Sequence, residues 1–250
     1  MTVFGDAIAW LMDGSRWVGQ GGLWDRLGEH VWFTALSLLI AILIAVPLGY
    51  VIGHTGRGRE IAVAITGAAR ALPSFGLILL LVLLVGVVHV PFAAVTAFVL
   101  LAIPSILAGA YTGIQAIDRT TIDAARATGM TEWQILWRVE APLGLPLLMG
   151  GIRSAALQIV ATVVLAAYVN LGGLGYGIVQ GLNLRRFDQM LGSAILIVLL
   201  ALVLDAAFAL IQRFAVPRGT RHTLTAARGY APVRTASTAP SIPHQKEDTP

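Results

Sequence analysis

The sequence predicts an all-α integral membrane protein with about five transmembrane helices. Three observations carry this. Hydrophobic residues make up 57% of the chain against 12% charged, and mean hydropathy is +0.80, outside the range of soluble globular domains. The apolar residues also come in runs long enough to cross a bilayer. Residues 31–53 carry no charge and extend about 34 Å as helix, against a hydrocarbon core of about 30 Å. The period-two alternation of barrel strands is missing, and a helix satisfies its own backbone groups where lipid cannot.

Each element follows in order. Residues 1–30 hold no basic n-region, and Asp6, Asp13, Arg16 and Asp25 interrupt their apolar residues, so they do not read as a cleavable signal. Trp10, Trp17, Trp24 and Trp32 suit a segment lying at one interface. The first span is 31–53, followed by a short, glycine-rich, basic link over 54–60. Residues 75–88 alone extend about 21 Å, too short to span comfortably. Joined to 61–72 they form one long helix kinked at Pro73 with Arg70 inside; a re-entrant first half is the competing reading. The third span is 92–114, with Pro104 inside. A polar hairpin fills 118–142, a fourth span 143–168, a glycine-rich loop 172–177 and a fifth span 190–211. Beyond Pro217 the composition turns to Thr, Ala, Pro, Ser and Arg, which predicts a disordered tail. The expected organisation is thus an interfacial segment 1–30, a membrane domain 31–215 and a tail 216–250.

Charge orients these spans. The chain has no cysteine, which removes disulfides and thiolate metal sites. Its pI near 10.0 reflects positive charge gathered on the cytoplasmic side rather than nucleic-acid binding. With the hairpin inside, Arg57, Arg59, Arg119, Arg126, Arg138 and Arg213 share that side with the tail, and Arg16, Arg26, Arg185 and Arg186 remain outside. The N-terminus is then outside and the C-terminus cytoplasmic.

The hairpin is the most informative segment. Thr120 with Asp123 fits a helix start, and Gly129 is placed to end that helix in a left-handed conformation. Thr131 with Gln134 is a second capping pattern, after which Trp133, Leu136 and Trp137 fall on one helical face. Pro142 leads back into the membrane. On these residues alone the pair of helices either rests on headgroups or docks a partner.

The spacing of Asp123-Ala124-Ala125, Gly129 and Val139 to Pro142 resembles the "EAA" loop of permease subunits of binding-protein-dependent (type I) ABC importers. Asp123 stands for the usual glutamate and Ala141 for the usual leucine. Arg70 to Ser74 and Leu171 to Gly175 resemble patterns placed likewise in such permeases, so the similarity covers roughly residues 31–213. Within the family, residues 53–58, 69–76 and 133–142 are similar to permeases for glycine betaine, choline, carnitine and proline. The resemblance implies a bacterial inner-membrane location and an ATPase-coupling role for Asp123, Ala124, Ala125, Gly129, Trp133 and Pro142. It implies as partners a cytoplasmic ABC ATPase, an extracytoplasmic binding protein docked near 171–187, and a second permease copy or a sister permease. Lys246 is the only lysine and follows no glycine-rich loop, so no P-loop is present. The chain itself is expected to hold no cofactor and to be no enzyme, with ATP bound on the partner.

Polar residues within the spans are the remaining candidates, because such groups are costly in lipid and turn toward the bundle interior. Arg70, Arg153 and Asp205 sit where a buried pair of Asp205 with Arg153 or Arg70 is possible. Ser154, Gln158 and Thr162 repeat every four residues; they either line a translocation path or hydrogen-bond between helices. At the outer loop Gly172, Gly173, Gly175 and Tyr176 complete the set. The spans carry no aromatic cage for a quaternary ammonium, which places recognition on the external protein. An amino acid or sulfonate cargo, an ion-coupled transporter and a non-transporting scaffold are the alternative functions.

Overall fold

A computed structural model describes residues 3–215, the side chains of residues 69–71, 214 and 215 excepted. The tail and the side chain of Arg70 therefore lie outside the described residues. Every regular element among those described is helical. Helix α1 (Val3–Met12) leads through a tight turn to α2 (Leu23–Thr55). Helix α2 starts eight residues before the charge-free run, because local chemistry favours a helix start there. The amide of Gly21 donates to Asp25 Oδ2 at 2.9 Å, and a carboxylate in the first turn also suits the helix dipole. At its other end Gly56, at φ +68°, closes α2 with its amide on the Ile52 carbonyl.

The second expected span does not form as one helix. The chain leaves the helical path at Leu72-Pro73 and separates α3 (Arg59–Ala71) from α4 (Ser74–Val85). Proline disfavours helical geometry in the residue before it and offers no N–H to the preceding turn. Pro73 is itself extended, at φ −63° and ψ 112°, and caps the start of α4. At about 18 Å, α4 is shorter than the hydrocarbon core. Among the described residues, four helical stretches rather than five are long and apolar enough to cross a membrane: Leu23–Thr55, Val87–Gln115, Glu132–Val169 and Phe187–Arg213.

Helix α5 (Val90–Gln115) is the centre of the molecule, packed along α2 on one side and α8 (Ala141–Val163) on the other. Alanines at 93, 94, 97, 102 and 110 are fully buried along it. In lipid, where apolar burial does not distinguish helix from solvent, small residues drive association by letting backbones approach. The α5–α8 crossing takes this furthest. A Cβ on Gly113 would stand 2.6 Å from the Gly144 carbonyl oxygen, and one on Gly109 2.7 Å from that of Leu147. Helix α10 (Phe187–Ala215) lies at the periphery against α1, α8 and α9 (Gly175–Asn183). None of its most apolar stretch is buried within the chain.

Candidate coupling hairpin and intramembrane polar pair

The hairpin is two capped helices joined by a glycine. Helix α6 (Arg119–Ala127) begins at Asp118, not at Thr120. Asp118 is extended, and its carboxylate accepts the Thr120 amide at 2.9 Å. That hydrogen bond, together with one from the Thr120 side chain, holds the Asp118 carboxyl below the usual carboxylate range. At the other end the Gly129 amide donates to the Arg126 carbonyl and the Met130 amide to that of Ala125. This is the Schellman pattern, and Gly129 adopts the left-handed φ of +84° that it requires. Thr131 then starts α7 (Glu132–Ile135) with both halves of a capping box: the Thr131 amide donates to Gln134 Oε1 at 3.0 Å, and the Gln134 amide to Thr131 Oγ1 at 3.4 Å.

The second half of the hairpin departs from the sequence reading. A wide π-helical turn over Leu136–Glu140 joins α7 directly to α8, and Pro142 sits in the first turn of α8, where its missing N–H is harmless. The helix is continuous through the point expected to be a re-entry. Ile135 and Leu136 point inward and are buried, while Trp133 and Trp137 stay exposed and meet edge-on at 5.5 Å. Leu136 thus does not share the face of the two tryptophans. Asp123, Ala124 and Gly129 are exposed and Ala125 is half-buried. Arg126 spans the hinge, donating to Glu132 at 2.7 and 3.1 Å and to Asp123 at 3.3 Å. The Glu132 carboxylate, by hydrogen bond and then by charge, raises the Arg126 guanidinium further above its ordinary value. Exposed pairs of this kind contribute little stability; here they bridge α6 and α7 across the hinge.

Residues the sequence reading had not singled out anchor this hairpin. Glu140, 5% exposed, faces His54 in the last turn of α2, with His54 Nδ1 2.6 Å from Glu140 Oε2. The other ring nitrogen is 3.4 Å from Glu132 Oε2. A glutamate within an apolar re-entry, and a histidine ending a span, are the signals that could have marked them. Their pairing across 86 positions has no local signature.

Within the membrane, Asp205 pairs with Arg153. The guanidinium Nε and Nη2 donate to the two carboxylate oxygens at 2.5 and 2.6 Å, the bidentate geometry for which arginine is suited. Both side chains remain about one-third exposed from the chain's own surface, at 35% and 31%. Ser154, beside them, is exposed. Gln158 reaches Ser105 of α5 at 3.5 Å. Thr162 is buried and its hydroxyl donates to the Gln158 carbonyl of its own helix. The three side chains have different surroundings: Ser154 is exposed, Gln158 crosses to α5 and Thr162 turns back on its helix.

At the opposite end of α2, Gly172 and Gly173 both have positive φ, at +94° and +72°. Glu29 Oε2 accepts the Gly173 amide at 2.7 Å. Gly175 opens α9, where a side chain would strike the Val164 carbonyl. The Arg26 guanidinium lies 4.0 Å over the Tyr176 ring. Tyr176 thus serves the packing of this end and leaves its face to arginine.

With the geometry in place, comparison with known proteins becomes informative. Residues 24–221 match the family described as the inner membrane component of binding-protein-dependent transport systems. The chain belongs to this family. Among curated relatives, the glycine betaine/carnitine/choline transport system permease protein OpuCB of Bacillus subtilis is 31% identical over 80% of this chain and 91% of its own. The osmoprotectant import permease protein OsmW of Salmonella typhimurium is 34% identical over 86% of this chain and 100% of its own. The inward-facing MetNI methionine ABC transporter superposes with a TM-score of 0.67 over 78% of this chain and 96% of that chain, at 24% identity, a likeness of fold. The protein is a multi-pass membrane component of a transport system, not an enzyme, and its fold is that of ABC importer permeases.

Proposed function

We propose that this chain is the permease subunit of an ABC importer for quaternary-ammonium osmoprotectants and related solutes: glycine betaine, choline, carnitine and proline. The named relatives support the cargo class. The observation that carries the mechanism is the hairpin, a rigidly capped, exposed helix pair with Trp133 at its surface, built at one end of the bundle. A helix pair whose polar face and two tryptophans are left uncovered, yet whose ends are each closed by a cap, is ordered for contact with another protein. That partner is a separate cytoplasmic ATPase, since this chain has no P-loop.

The arginine distribution supports one orientation of the assembly. His54 and Glu140 bring the end of α2, with Arg57 and Arg59 just beyond it, to the hairpin and its Arg119, Arg126 and Arg138. Arg16, Arg26 and Arg186 line a common cavity of about 240 Å³ at the other end, with Tyr176. The basic excess therefore favours a cytoplasmic hairpin and an outer 171–187 segment facing a binding protein, with α3 and α4 together making the broken crossing that leaves the C-terminus inside. Lipid is a poor neighbour for the Arg153–Asp205 pair, about one-third exposed. The α8–α10 face around it, with Ser154, borders the path shared with a second permease copy. Partner ATPases closing on ATP push the hairpins and rock the helices from inward-facing to outward-facing.

Reconstitution tests this. Proteoliposomes holding the permease, its ATPase and its binding protein are offered radiolabelled betaine, choline, carnitine, proline and methionine. Uptake of one of the first four that requires both ATP and the binding protein is the expected result. Uptake driven by an ion gradient without ATP, or no uptake at all, overturns the proposal.

A further inference from the structure

The geometry points to His54 and Glu140 as positioning residues that carry displacement of the hairpin into α2 and, through it, to the outer glycine loop. This rests on the reading of residues 118–142 as the element that docks the ATPase. Motion of the hairpin enters α8 through the backbone, because α7 and α8 are one continuous helical path. No backbone joins it to α2. Transfer there has to pass through side chains.

The side chains that make this contact form an unbroken chain. Asp123 meets Arg126 at 3.3 Å, Arg126 meets Glu132 at 2.7 Å, Glu132 meets His54 at 3.4 Å, and His54 meets Glu140 at 2.6 Å. The first members are solvated and adaptable. The last is not: Glu140 is buried, and a buried carboxylate that loses its partner is strongly disfavoured. The His54–Glu140 contact is therefore the one the hairpin cannot shed cheaply when it moves. Beside it, His54 and Glu140 border a cleft of about 530 Å³ between the ends of α2 and α5 and the hairpin. Along the rest of its length α2 packs on α5, with Gly53 set against Ile114, but toward the hairpin the cleft leaves the His54 pairs and the edge-on contact of Tyr50 with Trp137, at a ring separation of 6.0 Å, to link the two.

Helix α2 then acts as a rod. From His54 to Glu29 it covers about 37 Å at the helical rise, and Glu29 holds the Gly173 amide at 2.7 Å. One continuous helix, which carries Pro47 in its interior, thus has the ATPase-facing hairpin pinned to one end and the outer glycine loop pinned to the other. A push on the hairpin that moves His54 is passed along this helix to Glu29 and the loop.

The test uses the complete transporter in proteoliposomes, measuring ATP hydrolysed and solute imported together, with cross-linking of Ala127→Cys, an exposed hairpin position, to the ATPase as a docking readout. His54→Ala and Glu140→Gln are each expected to keep ATP hydrolysis within about twofold and to keep the cross-link. Each lowers solute imported per ATP about tenfold or more. The double variant is expected to be no worse than either single one, as for two residues acting as one unit. His54→Gln, which retains a donor for Glu140, restores part of the ratio. A merely structural role would lower hydrolysis and uptake in parallel, and that outcome, or an unchanged ratio in His54→Ala with docking intact, overturns the inference. Absence of the Ala127→Cys cross-link in the otherwise unaltered transporter removes the docking reading itself.

Discussion

Replacing Gly113 with alanine isolates the energetic core of this fold. The new Cβ would stand 2.6 Å from the Gly144 carbonyl oxygen and 3.2 Å from its carbonyl carbon and Cα. Ordinary contact begins near 3.4 Å, so α5 and α8 must separate by several tenths of an ångström. All three atoms are backbone, and none can rotate away. The separation loosens the rest of the crossing, including Gly109 against Leu147 and Gly151 against Ser105. Overpacking of this kind costs about 1–3 kcal/mol. Alanine also gains about 1 kcal/mol over glycine in helix propensity, which would mask part of that cost. Gly150→Ala supplies the control. It lies on α8, with nothing within 4 Å of its added Cβ, and carries the same propensity gain without the clash. The difference in unfolding free energy between the two variants, from denaturation of the purified permease in detergent, is therefore expected to be about 1–3 kcal/mol. If the two variants agree within about 0.5 kcal/mol, the close α5–α8 approach is not what limits the packing, and the argument from small residues is wrong.

Three further outcomes follow from the same coordinates. Gly129→Val has open space around it but places a β-branched residue at φ +84°, a strain of about 1–3 kcal/mol; insertion should be retained and solute uptake per ATP lost, and normal coupling would contradict the hinge. Arg153→Asp and Asp205→Arg should each reduce assembly and uptake, with recovery in the double swap; no recovery would show that the pair is not the unit the 2.5 and 2.6 Å contacts suggest. Asp118 has its carboxyl lowered by the Thr120 hydrogen bonds, so its contribution to α6 is complete above the ordinary value of about 4 and is lost as pH falls through the lower folded value. Hydrogen-exchange protection of residues 119–127, taken relative to intrinsic exchange at each pH, should fall below about pH 4, and Asp118→Asn should flatten that response; protection that does not change with pH in the parent protein would count against the cap.

The features legible in the amino-acid order are those whose causes act within about one helical turn. The apolar runs define membrane helices, and Gly129 and the Thr131–Gln134 box mark the hinge and the second helix start, because capping groups and their amides are sequence neighbours. That the sequence holds no P-loop is the same kind of local reading. Where two local signals compete, the order alone is ambiguous. Asp118 prevails over Thr120 as a cap because its extended backbone aims the carboxylate at the Thr120 amide, and Pro73 ends a helix where the hydropathy pattern allowed a kink. The π-helical turn at residues 136–140 is a longer-range choice: it turns Ile135 and Leu136 into the bundle and Glu140 onto His54. Packing alone could select the partners of Arg153 and His54, which lie 52 and 86 positions away. The Arg153 pair depends on how α10 lies against α8, and the His54 pair on how closely α2, α5 and α8 approach. That distance is set by glycines and alanines whose importance shows only when the opposing backbone is in place.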